Sequence, residues 1–295
     1  MYNTESSQLI RQRYSCRTYQ KRPIADHDLS MLETFIQHCK AGPFGNPIRL
    51  KIVPASEYDS RSLPKLGTYG FIRDPAAFII GSNKDKPGAL VDFGYAMELL
   101  ILKATELGIG SCWLGGTFTK SRFSRLMALE SGEDVPCVTS LGYPADQKAW
   151  LDRISRVYAG SDRRLPWNSL FFTDAWESSL SEDQAGVFAE PLRLVRLAPS
   201  ASNKQPWRVL RDGQRWHFYL ARTSNYPSPV FGPLLGTSDL QLIDLGIAIS
   251  HFELGLTENG ARGEWLKVDP GFMPSKTTQE YIITWQPITE NNQEA

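Results

Sequence analysis

The chain has 295 residues, 41% of them hydrophobic, with 32 basic and 32 acidic side chains and a formal net charge of +0. A chain of this length can bury a sizeable core, which excludes disorder as the default. Balanced charge supplies no global attraction to nucleic acid or anionic membranes, so any anion site must be local and the expected partner is a small molecule.

The amino terminus carries no basic segment leading into an apolar one. The longest apolar stretch, residues 89 to 109, is broken by Asp92, Glu98, Lys103 and Glu106. Both features read as a cytoplasmic protein without a membrane span. Cys16, Cys39, Cys112 and Cys137 are far apart, and the histidines include no pair at zinc-ligand spacing. Neither a disulfide framework nor a structural metal is expected.

In chain order, an N-terminal helix ends in Arg13-Tyr14-Ser15-Cys16-Arg17. A turn follows at Ala41-Gly42-Pro43-Phe44-Gly45-Asn46, then a strand over 76–82 rich in β-branched and aromatic residues. Leu90, Phe93, Met97, Leu100, Ala104 and Leu107 recur at helical spacing and stop at Gly108, a residue suited to a helix C-cap. A strand is expected over 135–141, and residues 143–172 read as a linker. A second turn, Ala198-Pro199-Ser200-Ala201-Ser202-Asn203, precedes a strand at 215–221, a long helix through Leu242, Leu245, Ile249, Phe252 and Leu256, and a strand at 279–285.

The second series repeats the first. Asp92, Gly94, Gly108 and Trp113 recur as Asp244, Gly246, Gly260 and Trp265 at a constant offset of 152, and Asn46 recurs as Asn203 at an offset of 157. Each copy runs helix, turn, strand, long helix, strand, which predicts an α+β protein of two halves, 1–160 and 161–295.

Three segments carry candidate chemistry. In Arg13-x-Ser15-x-Arg17 two guanidiniums and a hydroxyl can converge on a phosphate or on carbonyl oxygens, although the pattern alone also describes a solvated charged turn. The Pro199–Asn203 turn, followed by Pro206-Trp207, lets backbone approach a flat ligand and is equally a plain Asx/Ser turn. In Leu107-Gly108-Ile109-Gly110-Ser111-Cys112-Trp113-Leu114-Gly115-Gly116 the third glycine of a dinucleotide fingerprint is replaced by Trp113, and the segment follows a helix rather than a strand. The Gly115-Gly116 pair suits backbone amides presented to a ligand edge.

In this order the three segments resemble the FMN-dependent nitroreductase family, and the length and duplication are similar to its tandem-fused branch. The resemblance implies two halves, each a mostly antiparallel sheet flanked by helices, related by a pseudo-two-fold axis. It implies FMN as cofactor and NADH or NADPH as electron donor, with hydride passing through the flavin N5 to an aromatic acceptor such as a nitroaromatic or quinone. Arg13 and Ser15 would bind the phosphate, and Arg17 would approach the N1/O2 edge. Gly115 and Gly116 would offer amides to N5 and O4, which with Arg17 form the expected catalytic set. Pro199, Ser200 and Asn203 would come from the other half, and Arg163 and Arg164 are the match for the family's basic residues near the phosphate. Substrate loops are expected at Lys65 to Ile72 and Asn225 to Gly232, where Tyr69 and Phe231 could stack on a substrate or simply anchor the loops.

The halves differ from each other. The first has Gly42–Pro47 in place of the serine-rich turn, and the second has Arg262-Gly263-Glu264-Trp265 in place of the glycine pair and no Arg-x-Ser-x-Arg. One complete site per chain is expected, in a monomer that contains its own pseudo-dimer. The alternative expectation is a flavin-binding protein without turnover.

Overall fold

The computed structural model describes residues 2–55, 72–115, 118, 120–145, 163–223, 238–272 and 279–288. Gly116, Tyr69, Phe231, most of both expected substrate loops and the 160/161 boundary lie outside these residues.

After α1 (Ser6–Gln12) and α2 (Asp26–Ile36) comes a first sheet of β1 (Arg49–Pro54), β2 (Ala77–Lys84), β3 (Gly110–Leu114), β4 (Glu133–Asp134) and β5 (Val138–Gly142). Interleaved with these strands are α3 (Ala89–Glu106) and α4 (Lys120–Met127). The second sheet contains β6 (Phe171–Thr173), β7 (Ala175–Ser179), β8 (Trp207–Asp212), β9 (Arg215–Ala221), β10 (Gly263–Leu266) and β11 (Gln279–Pro287). Its helices are a single turn α5 (Glu182–Ala185), α6 (Ala189–Leu197) and α7 (Leu240–Glu258).

The first sheet runs β1-β2-β5-β3, and the second contains the path β8-β9-β11-β10. Within both paths every pairing is antiparallel. The two paths visit their strands in the same order: first strand, second strand, the strand after the long helix's neighbour, then that neighbour. β6 adds to β8 in parallel, so Phe171 and Phe172 are part of the second sheet and not of a linker. The shared order follows from local causes. A long helix leaves the second strand of each set, reverses at Gly108 or Gly260 with φ of +71° or +73°, and re-enters the sheet at its edge.

Helices α3 and α7 are apolar on nearly every face, the mark of helices buried in a core. They cross at a pair of glycines. A Cβ on Gly94 would lie 2.1 Å from the Ile243 carbonyl oxygen, and one on Gly246 would lie 2.0 Å from the Val91 carbonyl oxygen. The contact is reciprocal, since 94 to 246 and 91 to 243 share the offset of 152. One large cluster surrounds this crossing and reaches from Leu9 to Trp285, so the two sheets share a core. No helix among the described residues is long and apolar enough to cross a membrane.

Candidate active site

Beyond α1 the chain is extended. Ser15 bridges to Ser111 of β3, and Cys16 N–H donates to the Ser111 carbonyl at 2.8 Å. In extended chain alternate residues share a side. Arg13, Ser15 and Arg17 therefore line a common cavity of about 270 Å³, while Cys16 turns into the core at 2% exposure. Cys112, Trp113 and Gly115 of β3 and its exit line the same space.

The opposite wall comes from the other end of the sequence. Pro199, Ser200 and Asn203 face the cavity from the turn after α6, and Arg164 from the segment before β6. Leu240, Ile243, Asp244 and Ile247 form one stripe of α7, at the three-to-four spacing of a single helix face. Of the residues expected at the site, Arg13, Ser15, Arg17, Gly115, Arg164, Pro199, Ser200 and Asn203 are thus brought together.

Arg163 is not. It is exposed, and only its carbonyl takes part, accepting from Asn203 Nδ2 at 2.7 Å and Gln205 Nε2 at 3.3 Å. The next residue reverses direction in the extended segment and carries the guanidinium inward, where Arg164 Nη1 donates to Asn203 Oδ1 at 2.7 Å and Nη2 to the Leu197 carbonyl at 3.0 Å. Gly115 has a second neighbour. A Cβ there would lie 2.6 Å from Leu240 Cδ1, so the missing side chain makes room for α7.

The 199–203 turn is strained. Ser202, Asn203 and Gln205 have φ of 51°, 54° and 49°, in the left-handed region that non-glycine residues rarely adopt. Surrounding bonds hold it: Gln205 N–H donates to Ser200 Oγ at 2.9 Å, Leu165 N–H to Gln205 Oε1 at 2.8 Å, and Ala201 N–H to Asp244 Oδ1 at 2.9 Å.

Two acids escaped sequence reasoning. Glu98, fully buried on α3, lies 3.5 Å from Arg13 Nε, accepts from Trp113 Nε1 at 2.9 Å and sits 3.2 Å from His251 Nε2 on α7. It fixes two cavity-lining side chains at once. Asp244 is 4% exposed, and burial pushes its carboxyl well above the usual carboxylate range, against the lowering effect of the Ala201 N–H. Burial likewise pushes the Cys137 thiol on the cavity wall upward.

The cavity's polar atoms are not all satisfied from within. Arg13 Nε and Nη1, Arg17 Nη1 and Asp244 Oδ2 are buried without a hydrogen-bond partner among the described residues. Natural proteins seldom leave such atoms bare, and guanidinium donors facing a cavity suit an anion or ring carbonyls.

The fold with this cavity is that of the nitroreductases. A Thermotoga maritima MSB8 crystal structure described as a "putative nitroreductase" aligns over 98% of this chain and 95% of its own, with a TM-score of 0.57 at 18% identity. A curated Archaeoglobus fulgidus protein named "Putative NADH dehydrogenase/NAD(P)H nitroreductase" is 27% identical over 176 residues, which is 55% of this chain and 99% of that protein. A nitroreductase with bound FMN from Desulfitobacterium hafniense DCB-2 aligns at 22% identity over 49% of this chain and 92% of its own, with a TM-score of 0.40. The model of the family described as "Putative TM nitroreductase" matches residues 5–256. The chain belongs to this family of nitroreductase-type oxidoreductases.

Proposed function

We propose that the cavity binds FMN and that the chain is an FMN-dependent NAD(P)H oxidoreductase acting on an aromatic acceptor such as a nitroaromatic or a quinone. The observation that carries this reading is the convergence of two motifs, some 185 residues apart in sequence, on one cavity lined by Arg13 and Arg17, each of which has a buried guanidinium nitrogen without a hydrogen-bond partner. Bound there, FMN would take hydride from NADH or NADPH and pass it to the acceptor.

The chain's own residues would bind and orient. Arg13 and Ser15 supply a charged fork and a hydroxyl for the phosphate, with Glu98 holding the Arg13 guanidinium against the wall. Arg17 brings a fixed positive charge to the ring edge, where a preorganised charge favours the reduced state. Gly115 and Gly116 are assigned to the ring's N5/O4 side through their amides. Pro199, Ser200 and Asn203 close the other side, with Arg164 fastening Asn203.

The common strand order of the two sheets, the reciprocal Gly94 and Gly246 crossing and the constant offset of 152 support a fused pseudo-dimer, halves 1–160 and 161–295, with one flavin per chain. Such a chain already buries the surfaces that separate subunits would pair, so a monomer suffices. Titrating the purified protein with FMN should give one tight site per chain. Anaerobic addition of NADH or NADPH should then bleach the flavin band. Two tight sites per chain would overturn the fused-site reading, and a bound flavin that neither nicotinamide bleaches would make this a binding protein without turnover.

A further inference from the structure

We infer that Asp244 contacts the bound flavin, donating a hydrogen bond from its free carboxyl oxygen to an acceptor on the cofactor. The inference rests on the FMN reading above and adds a residue that neither motif contains.

The carboxyl is fixed at one end and bare at the other. Oδ1 accepts from Ala201 N–H at 2.9 Å, which orients the group, while Oδ2 is buried, has no partner and belongs to a side chain that lines the cavity. Asp92, at the matching position of α3, shows what a purely structural carboxylate does here. Its Oδ1 accepts from Phe44 N–H at 2.8 Å and its Oδ2 from Asn46 N–H at 2.7 Å and Asn46 Nδ2 at 3.0 Å, so both oxygens are spent on its own turn. Asp244 does half of that work and leaves the other oxygen unspent on a side chain that lines the cavity.

The surroundings decide which way the hydrogen bond runs. Along α7 the neighbours facing the same space are Leu240, Ile243 and Ile247, and from the first sheet Cys137, whose thiol burial pushes up. The nearby charge on its own helix is Asp239, itself paired with Arg222 and repelling a second negative charge. Of the cavity's guanidiniums, Arg13 faces Glu98 and Arg164 is bonded to Asn203 and Leu197; Arg17 also lines the space, and Tyr14 and Cys112 are the other titratable groups on its walls among the described residues. Burial therefore disfavours the charged form of the carboxyl, and a protonated carboxyl has a proton to give. A flavin offers acceptors in its ring carbonyls and ring nitrogens. A neutral acid also avoids setting a negative charge in a cavity that must admit a phosphomonoester.

The test uses FMN titrations of the full-length chain, monitored by flavin fluorescence, with infrared difference spectra of binding. Asp244→Asn keeps an oxygen for Ala201 N–H and puts an amide donor where Oδ2 stood, so affinity should stay within about threefold of wild type. Asp244→Leu should weaken FMN more than about tenfold, the scale of a lost buried hydrogen bond. Binding should also shift the C=O stretch of a protonated carboxylic acid in the wild type, a band absent from Asp244→Asn. A residue that merely braced the turn would give no such shift. Wild-type affinity in Asp244→Leu, an equal loss in Asp244→Asn, or no carboxylic-acid band on binding would each overturn the inference. A wild-type chain without affinity for FMN would instead defeat the functional reading, and is seen before any variant is made. Should Asp244→Leu fail to fold by its melting curve, the isosteric Asp244→Asn and the infrared band still decide.

Discussion

The turns at 42–46 and 198–203 hang from equivalent aspartates on two crossing helices, yet one is closed and the other open. In the first, Gly45 takes the positive φ of 76° that a turn needs, and Asp92 is saturated with donors. Lys267 Nζ donates to the Phe44 carbonyl at 2.9 Å and covers the Phe44 ring, so the region is filled by protein. In the second, Ser202 and Asn203, with Gln205 just beyond, bear left-handed backbone, Asp244 keeps an oxygen unspent, and a cavity stands beside it. Strain and an unmet polar atom thus mark the turn that borders the cavity, and the turn at 42–46 has neither.

The largest expected effect tests what the two regions share. Gly94→Val and Gly246→Val each drive a side chain into carbonyl backbone of the partner helix, and each should cost on the order of 3 kcal/mol or more. Denaturant melts of both variants check this; a large loss in one and none in the other would break the equivalence of the crossing. Next, Arg13→Ala should weaken FMN at least about tenfold by removing a charge-assisted contact of about 1.5–3 kcal/mol. Unchanged affinity in a fluorescence titration would refute the phosphate assignment.

The third expectation separates the two aspartates. Asp92→Asn sets an amide against N–H donors and should lower stability by about 1–3 kcal/mol, whereas Asp244→Asn should cost little without ligand. The pH dependence sharpens it. Because the Asp244 carboxyl is raised in the folded chain, the native state keeps a proton that the unfolded chain has lost. The stability this group contributes is therefore greatest at low pH and falls as pH climbs from the ordinary carboxylate range to the raised value. Melting temperatures of wild type and Asp244→Asn, compared at increasing pH, should move in favour of the asparagine; a constant difference would show that the carboxyl does not titrate abnormally. Smallest, Gly115→Ala should push Leu240 aside and weaken FMN by about 1 kcal/mol, and Leu240→Ala in the same chain should restore most of it. Simple additivity of the two changes would mean that Leu240 does not set the limit at Gly115.

Much of this architecture was legible because long apolar periodicity leaves few alternatives. The helices at 89–106 and 240–258 and the strands at 77–84, 215–221 and 279–287 stand where the pattern put them. β3 was hidden by its glycines: Gly110–Leu114 lies in the glycine-rich segment where no strand was expected, and it is a strand whose outer end forms the cavity wall. β6 was hidden by length, three residues inside an apparent linker, held only by its parallel pairing with β8. Within the site, Arg13, Ser15 and Arg17 could be singled out only through the family resemblance, and their spacing of two needs only an extended chain to line one cavity. Glu98 and Asp244 could not be singled out. Each looks like an interruption in an apolar helix, and its meaning lies in partners distant in sequence, Arg13 and His251 for the one and Ala201 for the other.

The glycine crossing has a mechanical consequence. Gly94 and Gly246 hold two helices at a separation set by backbone atoms, the least compressible contact available, and Gly246 lies two residues beyond Asp244 and one before Ile247. The cavity wall on α7 is therefore gauged from the same point that clamps the halves together, like a jaw machined from its own pivot. Since displacements of an ångström can cost a catalytic site a hundredfold in rate, a single Cβ at the pivot would widen the jaw as well as load the fold.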